Sequence, residues 1–533
     1  MADILPIRNV LERNAADTPE RIAVTFEDES PWTFADALSN GYGAAAVLKQ
    51  HGARQGDSVG FFLPNGSAIL RAWWGVECLG GVAVPANPIW KGEFLRQMLL
   101  RAGVKFLVMD PELRGVAEAS LKEADGIAII DVTELASGSG DEAPALDRPI
   151  KLWDLHHVQF TSGTTGVSKA AAGSHLQFQL TANWYIKAIS AKPQDIFLCD
   201  LPLFHLSALA ISAAAIAEGC GLTVRRAPSL TNYWRVAHET GATFGHLLST
   251  MPNFLMQQPP GPYDRDHNVR AIHMCPLPAD VAGFQNRFGV AEIVTAYGSS
   301  ECSVPLTQEP GSPLVDGSCG RQRAPYIVRI VDENDIEVPA GTSGELVVRS
   351  DVPWSLTTEY LGNAEASARL WRNGWLHTGD RMRRDADGNF FFVDRMTDSI
   401  RRRGENISSV EVEALVRGYP GILDVACAAV PDDDGVEDEV KVWLLVGKDQ
   451  TTDYLKLVHH LVETMPYYMV PRYYEAIEEF PRTPANRVKK VELRARPKDT
   501  SWDIQADGHL KVTRRGLQPL VPRAGDAAAN TAR

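Results

Sequence analysis

The chain of 533 residues carries 44% apolar and 23% charged residues, with a formal net charge of −14. That length exceeds one ordinary core and requires at least two domains. The apolar content excludes a disordered chain, and the acidic balance argues against a nucleic-acid protein, whose binding face makes its domain basic.

Met1 to Pro6 runs straight into an amphipathic pattern, without the charged-then-apolar leader of a secreted protein. The longest apolar stretches, such as Leu206 to Ala217, fall short of the ~20 residues that a membrane span needs. A cytoplasmic protein without a membrane span is expected. Seven cysteines, at positions 78, 199, 220, 275, 302, 319 and 427, are odd in number and show no paired metal-ligand spacing. They suit reduced thiols filling a core, with Cys275 and Cys302 as pocket candidates.

From about Asp17 to Thr133 helical and strand patterns alternate, and the loop Ala136 to Pro149, rich in Ser, Gly, Asp and Pro, belongs on the surface. Gly41-Tyr-Gly-Ala-Ala-Ala46 echoes a dinucleotide fingerprint. No strand precedes it and it sits in a helical repeat, so helix packing is its expected use. Residues 150 to 310 alternate again, and the apolar run with Val158 and Phe160 predicts a buried strand.

That strand leads into Thr161, Ser162, Gly163, Thr164, Thr165, Gly166, Val167, Ser168 and Lys169. Gly163 and Gly166 allow backbone N–H groups to turn inward, the hydroxyls add donors, and Lys169 adds a mobile positive charge. A loop of this kind at a strand end suits a nucleotide triphosphate; a polar surface turn is the alternative. It is not a Walker A loop, because Ser168 stands five after Gly163, where that motif has glycine. From Val328 to Arg349 the pattern is strand-rich, with turns at Asp332-Glu-Asn-Asp and Pro339-Ala-Gly341. A second unit starts near Asp398 and alternates helices and strands to about Arg496. The tail from Lys498 to Arg533 is expected to pack poorly.

Several motifs stand in a fixed order: residues 160 to 169, Tyr297-Gly-Ser-Ser-Glu301, Thr378-Gly-Asp380, Asp394-Arg-Met-Thr-Asp398 with Arg403-Gly-Glu-Asn406, and Pro481-Arg-Thr-Pro484 with Lys490. Upstream lie Gly56-Asp57, Pro64-Asn65 and Trp74-Gly-Val-Glu-Cys-Leu-Gly-Gly-Val-Ala-Val-Pro85. Together they resemble the acyl-adenylate-forming (ANL, AMP-binding) superfamily over nearly the whole chain. Within it, the pattern is closest to carnitine-CoA-ligase-like acyl-CoA synthetases.

The resemblance implies an α/β fold: a large N-terminal adenylation domain, residues 1–397, of α/β subdomains plus a strand-rich subdomain. A small mobile α+β C-terminal domain, residues 398–497, would follow a hinge, with residues 498–533 as the tail. It implies ATP and a carboxylic acid as substrates, Mg²⁺, and CoA as co-substrate. The phosphates would meet Thr161 to Gly166 and Lys169. Tyr297, Gly298 and Ser299 would lie along the adenine, Ser300 would contact the α-phosphate and Glu301 would hold Mg²⁺. Asp380 would accept both ribose hydroxyls with Arg395 nearby, a task suited to a carboxylate's two oxygens. Asp398 matches the hinge, and Arg403, Gly404 and Glu405 border the thioester channel. The basic run of Arg401, Arg402 and Arg403 is either a solvated face or a contact for CoA phosphates.

Three positions depart from the family pattern. The adenylation lysine follows a glycine in relatives, whereas Asn486 and Arg487 stand here; either Arg487 substitutes, or Lys489 or Lys490 reaches in. Ala170 replaces a glycine after the phosphate-loop lysine, and Arg403 replaces another. For the acyl pocket, Leu201-Pro-Leu-Phe-His205 resembles the motif lining the carboxylate site. His273, Met274 and Cys275 place bulk where relatives carry glycines, which disfavours a long tunnel and favours a short, branched or cyclic acid. Transfer to CoA is the leading expectation. Transfer to an amine or carrier protein is the second, and a non-catalytic nucleotide- or acyl-binding relative the third. The oligomeric state stays open, with a homodimer among the options.

Overall fold

A computed structural model describes residues 4–161, 169–227, 229–248, 251–278, 280–396, 398, 400–402, 405–431, 438–447, 452–483, 487–508, 510–513 and 516–519. The chain divides into two compact units. The first comprises residues 1–342, 346–378 and 384–391, and the second residues 343–345, 379–383 and 392–533. Asp398, the expected boundary, lies within the second unit.

The first unit is built on two largely parallel sheets. One runs in the order Ala128–Asp131, Val104–Met109, Ser58–Phe62, Val82–Ala86, Leu155–Thr161, Lys169–Ser174. Only its last pair is antiparallel. The other runs Glu292–Val294, Ala271–Cys275, Phe244–Leu248, Ile196–Cys199, Gly221–Val224, Ile22–Phe26, Trp32–Thr33. Parallel strands need crossovers, and the helices that supply them bury their apolar faces against the sheets.

The helix Phe34–Gln50 starts at a capping box formed by Thr33 and Asp36 and packs on the helix Ser67–Leu79. A Cβ at Gly75 would stand 2.6 Å from Cβ of Ala44. The glycine- and alanine-rich segment at 41–46 thus serves helix packing, as expected. The apolar run at 206–217 forms a core helix buried almost all round, and no helix among the described residues is long and apolar enough to cross a membrane.

The strand-rich part follows at Ala296–Ser299, Ser303–Thr307 and Arg321–Gln322, then Tyr326–Val331, Ser343–Ser350, Trp371–Arg372 and Trp375–Arg384. In the second unit a sheet in the order Ile422–Pro431, Asp438–Val446, Tyr473–Ile477, Trp502–Asp503 carries the helices Ser409–Arg417 and Tyr454–Thr464.

As far as Pro519, the expectation of a poorly packed tail from Lys498 does not hold; residues 520–533 lie outside the described residues. Trp502 and Asp503 pair with Tyr474 and Tyr473, Ile504 and Val512 are buried in the unit's core, and Leu510–Thr513 forms a hairpin with Gly516–Pro519. Sparse but well-spaced apolar residues close this unit.

Candidate active site

In the first unit, Thr161 and Lys169 face each other in the antiparallel pair of Leu155–Thr161 and Lys169–Ser174. The two strands are the stem of the glycine- and hydroxyl-rich loop, whose residues Ser162, Gly163, Thr164, Thr165 and Gly166 lie outside the described residues. The Lys169 ammonium sits 4.9 Å from the centre of the Tyr360 ring, within cation–π range. The Tyr360 hydroxyl donates to Oε1 of Glu301 at 2.8 Å. Burial, and then the Glu301 charge, push the Tyr360 pKa up, so it stays a donor throughout the neutral range. Tyr360 escaped the sequence reading; its only signal is its place in Tyr360-Leu-Gly-Asn-Ala-Glu365.

The backbone around Glu301 is held from three sides. Its carbonyl accepts Thr357 N–H at 2.9 Å, and Gln177 Nε2 donates to the carbonyl of Ser300 at 2.9 Å. Ser299 Oγ accepts the N–H groups of Glu301 and Cys302, both at 3.2 Å. Tyr297 is buried in the strand before this turn. Gly298 is required by close approach, since a Cβ there would meet the Ser303 carbonyl oxygen at 2.3 Å.

His205 stands at the start of the helix Leu206–Ala217. Its loop is braced by Asn65, which donates to the Leu201 and Arg225 carbonyls and accepts Leu203 N–H, giving the Pro64-Asn65 motif a structural reason. The strand Ala271–Cys275 separates the three residues expected together at the acyl pocket, because side chains alternate across a strand. Met274 is buried with Leu247 and Ile272 in one core cluster. His273 packs edge-on against Trp184 and Tyr185, with Nδ1 3.1 Å from Nδ1 of His246. Cys275 Sγ contacts the Ala296 carbonyl at 3.2 Å. Met274 is thus not a partner of His273 and Cys275.

The second unit brings together another set. Arg395 Nε lies 3.4 Å from Asp380. Met396 N–H bonds to the Gly379 carbonyl at 2.9 Å, and Glu345 accepts Gly379 N–H at 2.9 Å. Asp398 pairs with Arg494 at 2.8 Å. Arg402 resolves neither as a solvated face nor as a phosphate contact: it is buried, paired with Glu439 at 2.6 Å, and donates to the Tyr468 and Val470 carbonyls. Arg403 and Gly404 lie outside the described residues, as does the side chain of Glu405.

Of the candidate cations, Lys490 pairs with Glu413 at 2.8 Å and donates to Ser409 Oγ. Burial pulls its pKa down, but Glu413 and Asp394 outweigh that and hold it above the usual lysine range. It is held here as a fixed charge. Lys489 reaches Glu492, whereas Arg487 is exposed, with its N–H on Thr483 Oγ1 at 3.1 Å.

The first unit thus places a lysine at a loop stem beside a supported carboxylate, and the second unit holds a carboxylate–arginine pair. Residues 11–361 match the family of AMP-binding enzymes, and the chain belongs to it. Among its relatives, the crotonobetaine/carnitine–CoA ligase of Salmonella paratyphi A is 28% identical over 84% of this chain and 90% of its own length. The fold is shared with ATP-bound MatB from Rhodopseudomonas palustris, at a TM-score of 0.82, 23% identity and coverage of 91% and 98%. It is also shared with the o-succinylbenzoate CoA synthetase MenE of Bacillus subtilis in complex with ATP and magnesium, at a TM-score of 0.80, 24% identity and coverage of 91% and 99%. The chain is an AMP-binding enzyme, and its curated relatives include CoA ligases.

Proposed function

We propose that the chain activates a small carboxylic acid with ATP and passes it to CoA. A carboxylate oxygen attacks the α-phosphorus, the bond to the departing pyrophosphate breaks, and acyl-AMP forms. The CoA sulfur, as thiolate, then attacks the acyl carbon, and AMP leaves with its phosphate oxygen. The first step brings two anions together and needs positioned positive charge. The connected run Lys169–Tyr360–Glu301 is the observation that carries this reading, because it fixes a cation and a carboxylate beside the strand end that feeds the loop.

Glu301 fits a hard divalent cation: an oxygen donor, partly exposed, oriented by a neutral hydroxyl. Mg²⁺ bound there would neutralise charge on the phosphates. Lys169 would hold phosphate oxygens, and Asp380 with Arg395 would take the ribose. Arg487, which stands at the position aligned with it, would stand in for the family lysine. Arg487→Ala should then lower adenylation about 10²-fold, the cost of one positioned donor, while thioester formation from supplied acyl-AMP stays near wild type. Equal loss of both steps would remove Arg487 from this role.

The packing of Trp184, Tyr185 and His246 around His273 supports a short, branched or cyclic acid. Pyrophosphate release across short, branched, cyclic, aromatic and long acids, with and without CoA, tests both parts. Acid-dependent release sustained only with CoA, with a thioester product, is expected. Turnover fastest on a long straight acid would overturn the substrate class, and acyl-AMP release indifferent to CoA would overturn the acceptor.

A further inference from the structure

Away from that chemistry, the first unit buries a cluster that neither step uses. Glu77 comes from the helix Ser67–Leu79, His156 from the strand Leu155–Thr161, and His175 opens the helix His175–Ala188. One donor atom from each lies within 4.8 Å of the others. The side chains of Glu77 and His156 are 0% and 1% exposed, with Oε1 and Nε2 2.8 Å apart, and His175 is 1% exposed. Trp73 Nε1–H donates to Glu77 Oε1 at 2.9 Å. Among the described residues, Oε2 of Glu77 and Nδ1 of His175 have no hydrogen-bond partner.

A buried carboxylate without a cation and a buried imidazole nitrogen without a partner each cost free energy. Among the described residues no lysine or arginine pairs with Glu77. Two unrelated costs on one point are removed together if a cation sits between them. A neutral imidazole keeps on one ring nitrogen the lone pair that a metal takes. Nδ1 of His156 lies 3.0 Å from Nδ1 of His157. That contact can hold the His156 tautomer with Nε2 turned bare toward Glu77, as outer partners do for ligating histidines. Phe178 stacks on the His156 ring at 4.2 Å and keeps the surroundings apolar.

We infer that Glu77, His156 and His175 form a structural site for a first-row divalent metal of the Zn²⁺ type. Two imidazole nitrogens and a carboxylate oxygen are a donor set suited to Zn²⁺ and to its spectroscopic substitute Co²⁺. Near-complete burial denies any substrate access, so the ion cross-links rather than reacts. It ties a core helix to the strand that ends at Thr161, and through His175 to the helix whose Gln177 braces Ser300.

The full chain should be produced in media supplemented with Zn²⁺ or Co²⁺ and washed with chelator. Metal content is then read by elemental analysis and, for Co²⁺, by visible absorption. About one ion per chain, with the strong absorption of a four-coordinate Co²⁺ site, is expected. Glu77→Gln and His175→Gln should lose that ion while keeping the wild-type circular dichroism. Wild-type protein without either metal after this treatment would overturn the site, leaving a proton shared by Glu77 and His156 as the occupant. So would full metal content in folded Glu77→Gln. If the variants fail to fold, X-ray absorption on the wild type decides: two imidazole ligands support the site, and none overturns it.

Discussion

Tyr360 does two things with one side chain: its ring faces the Lys169 ammonium and its hydroxyl fixes Glu301. Loss of the hydroxyl alone, in Tyr360→Phe, leaves the ring and frees the carboxylate. Such an orienting partner is worth about 10–100-fold in metal affinity or activity. Pyrophosphate release should fall by that factor at limiting Mg²⁺ and recover in part at high Mg²⁺; an unchanged Mg²⁺ dependence would show that Glu301 needs no such support. The sequence identified Lys169 and Glu301 because each sits in a dense motif. Tyr360 stands alone between ordinary residues, and its partners are 59 or more positions away, so no local pattern marks it. Lys490 shows the converse. A lysine beside a lysine looks solvated in sequence, and only the fold supplies Glu413 and Ser409 to bury it.

Among elements, period-2 alternation was legible for the strand Leu155–Thr161, whose apolar run announced it. At His273 to Cys275 the resemblance points to three neighbouring pocket residues, whereas a strand turns the middle one, Met274, to the other face. The segment around Asp398 is the element on which transfer turns. Asp398 is held to Arg494 inside the second unit, while Arg395, three residues earlier, reaches Asp380. Proline at 398 fixes φ and removes the N–H that now bonds to the Arg395 carbonyl. Asp398→Pro should leave acyl-AMP formation largely intact and cut thioester formation by an order of magnitude or more, measured as separate half-reactions. Equal loss of both would mean that the segment is not a hinge.

At the scale of the molecule, buried histidines set the acid limit of stability. Burial pushes His246 down to about 3, and burial with the neighbouring His246 charge pushes His273 well below its ordinary value of 6.5. Unfolding frees both to take up protons, so their stabilising effect is complete above pH 6.5 and is lost as pH falls from there toward 3. Each contributes a slope of about 1.4 kcal/mol per pH unit in that window. The urea midpoint of the first unit should drop between about pH 7 and about pH 5, and a His246→Gln, His273→Gln double variant should show a flatter profile. A wild-type profile equally flat would place the protons elsewhere. The strand Trp502–Asp503 has a consequence of a different kind. It covers the outer edge of Tyr473–Ile477, and an uncovered edge is a template on which further chains add. Shortening the chain after Pro497 should therefore promote self-association, visible as concentration-dependent light scattering, whereas ending it after Pro519 keeps that edge covered.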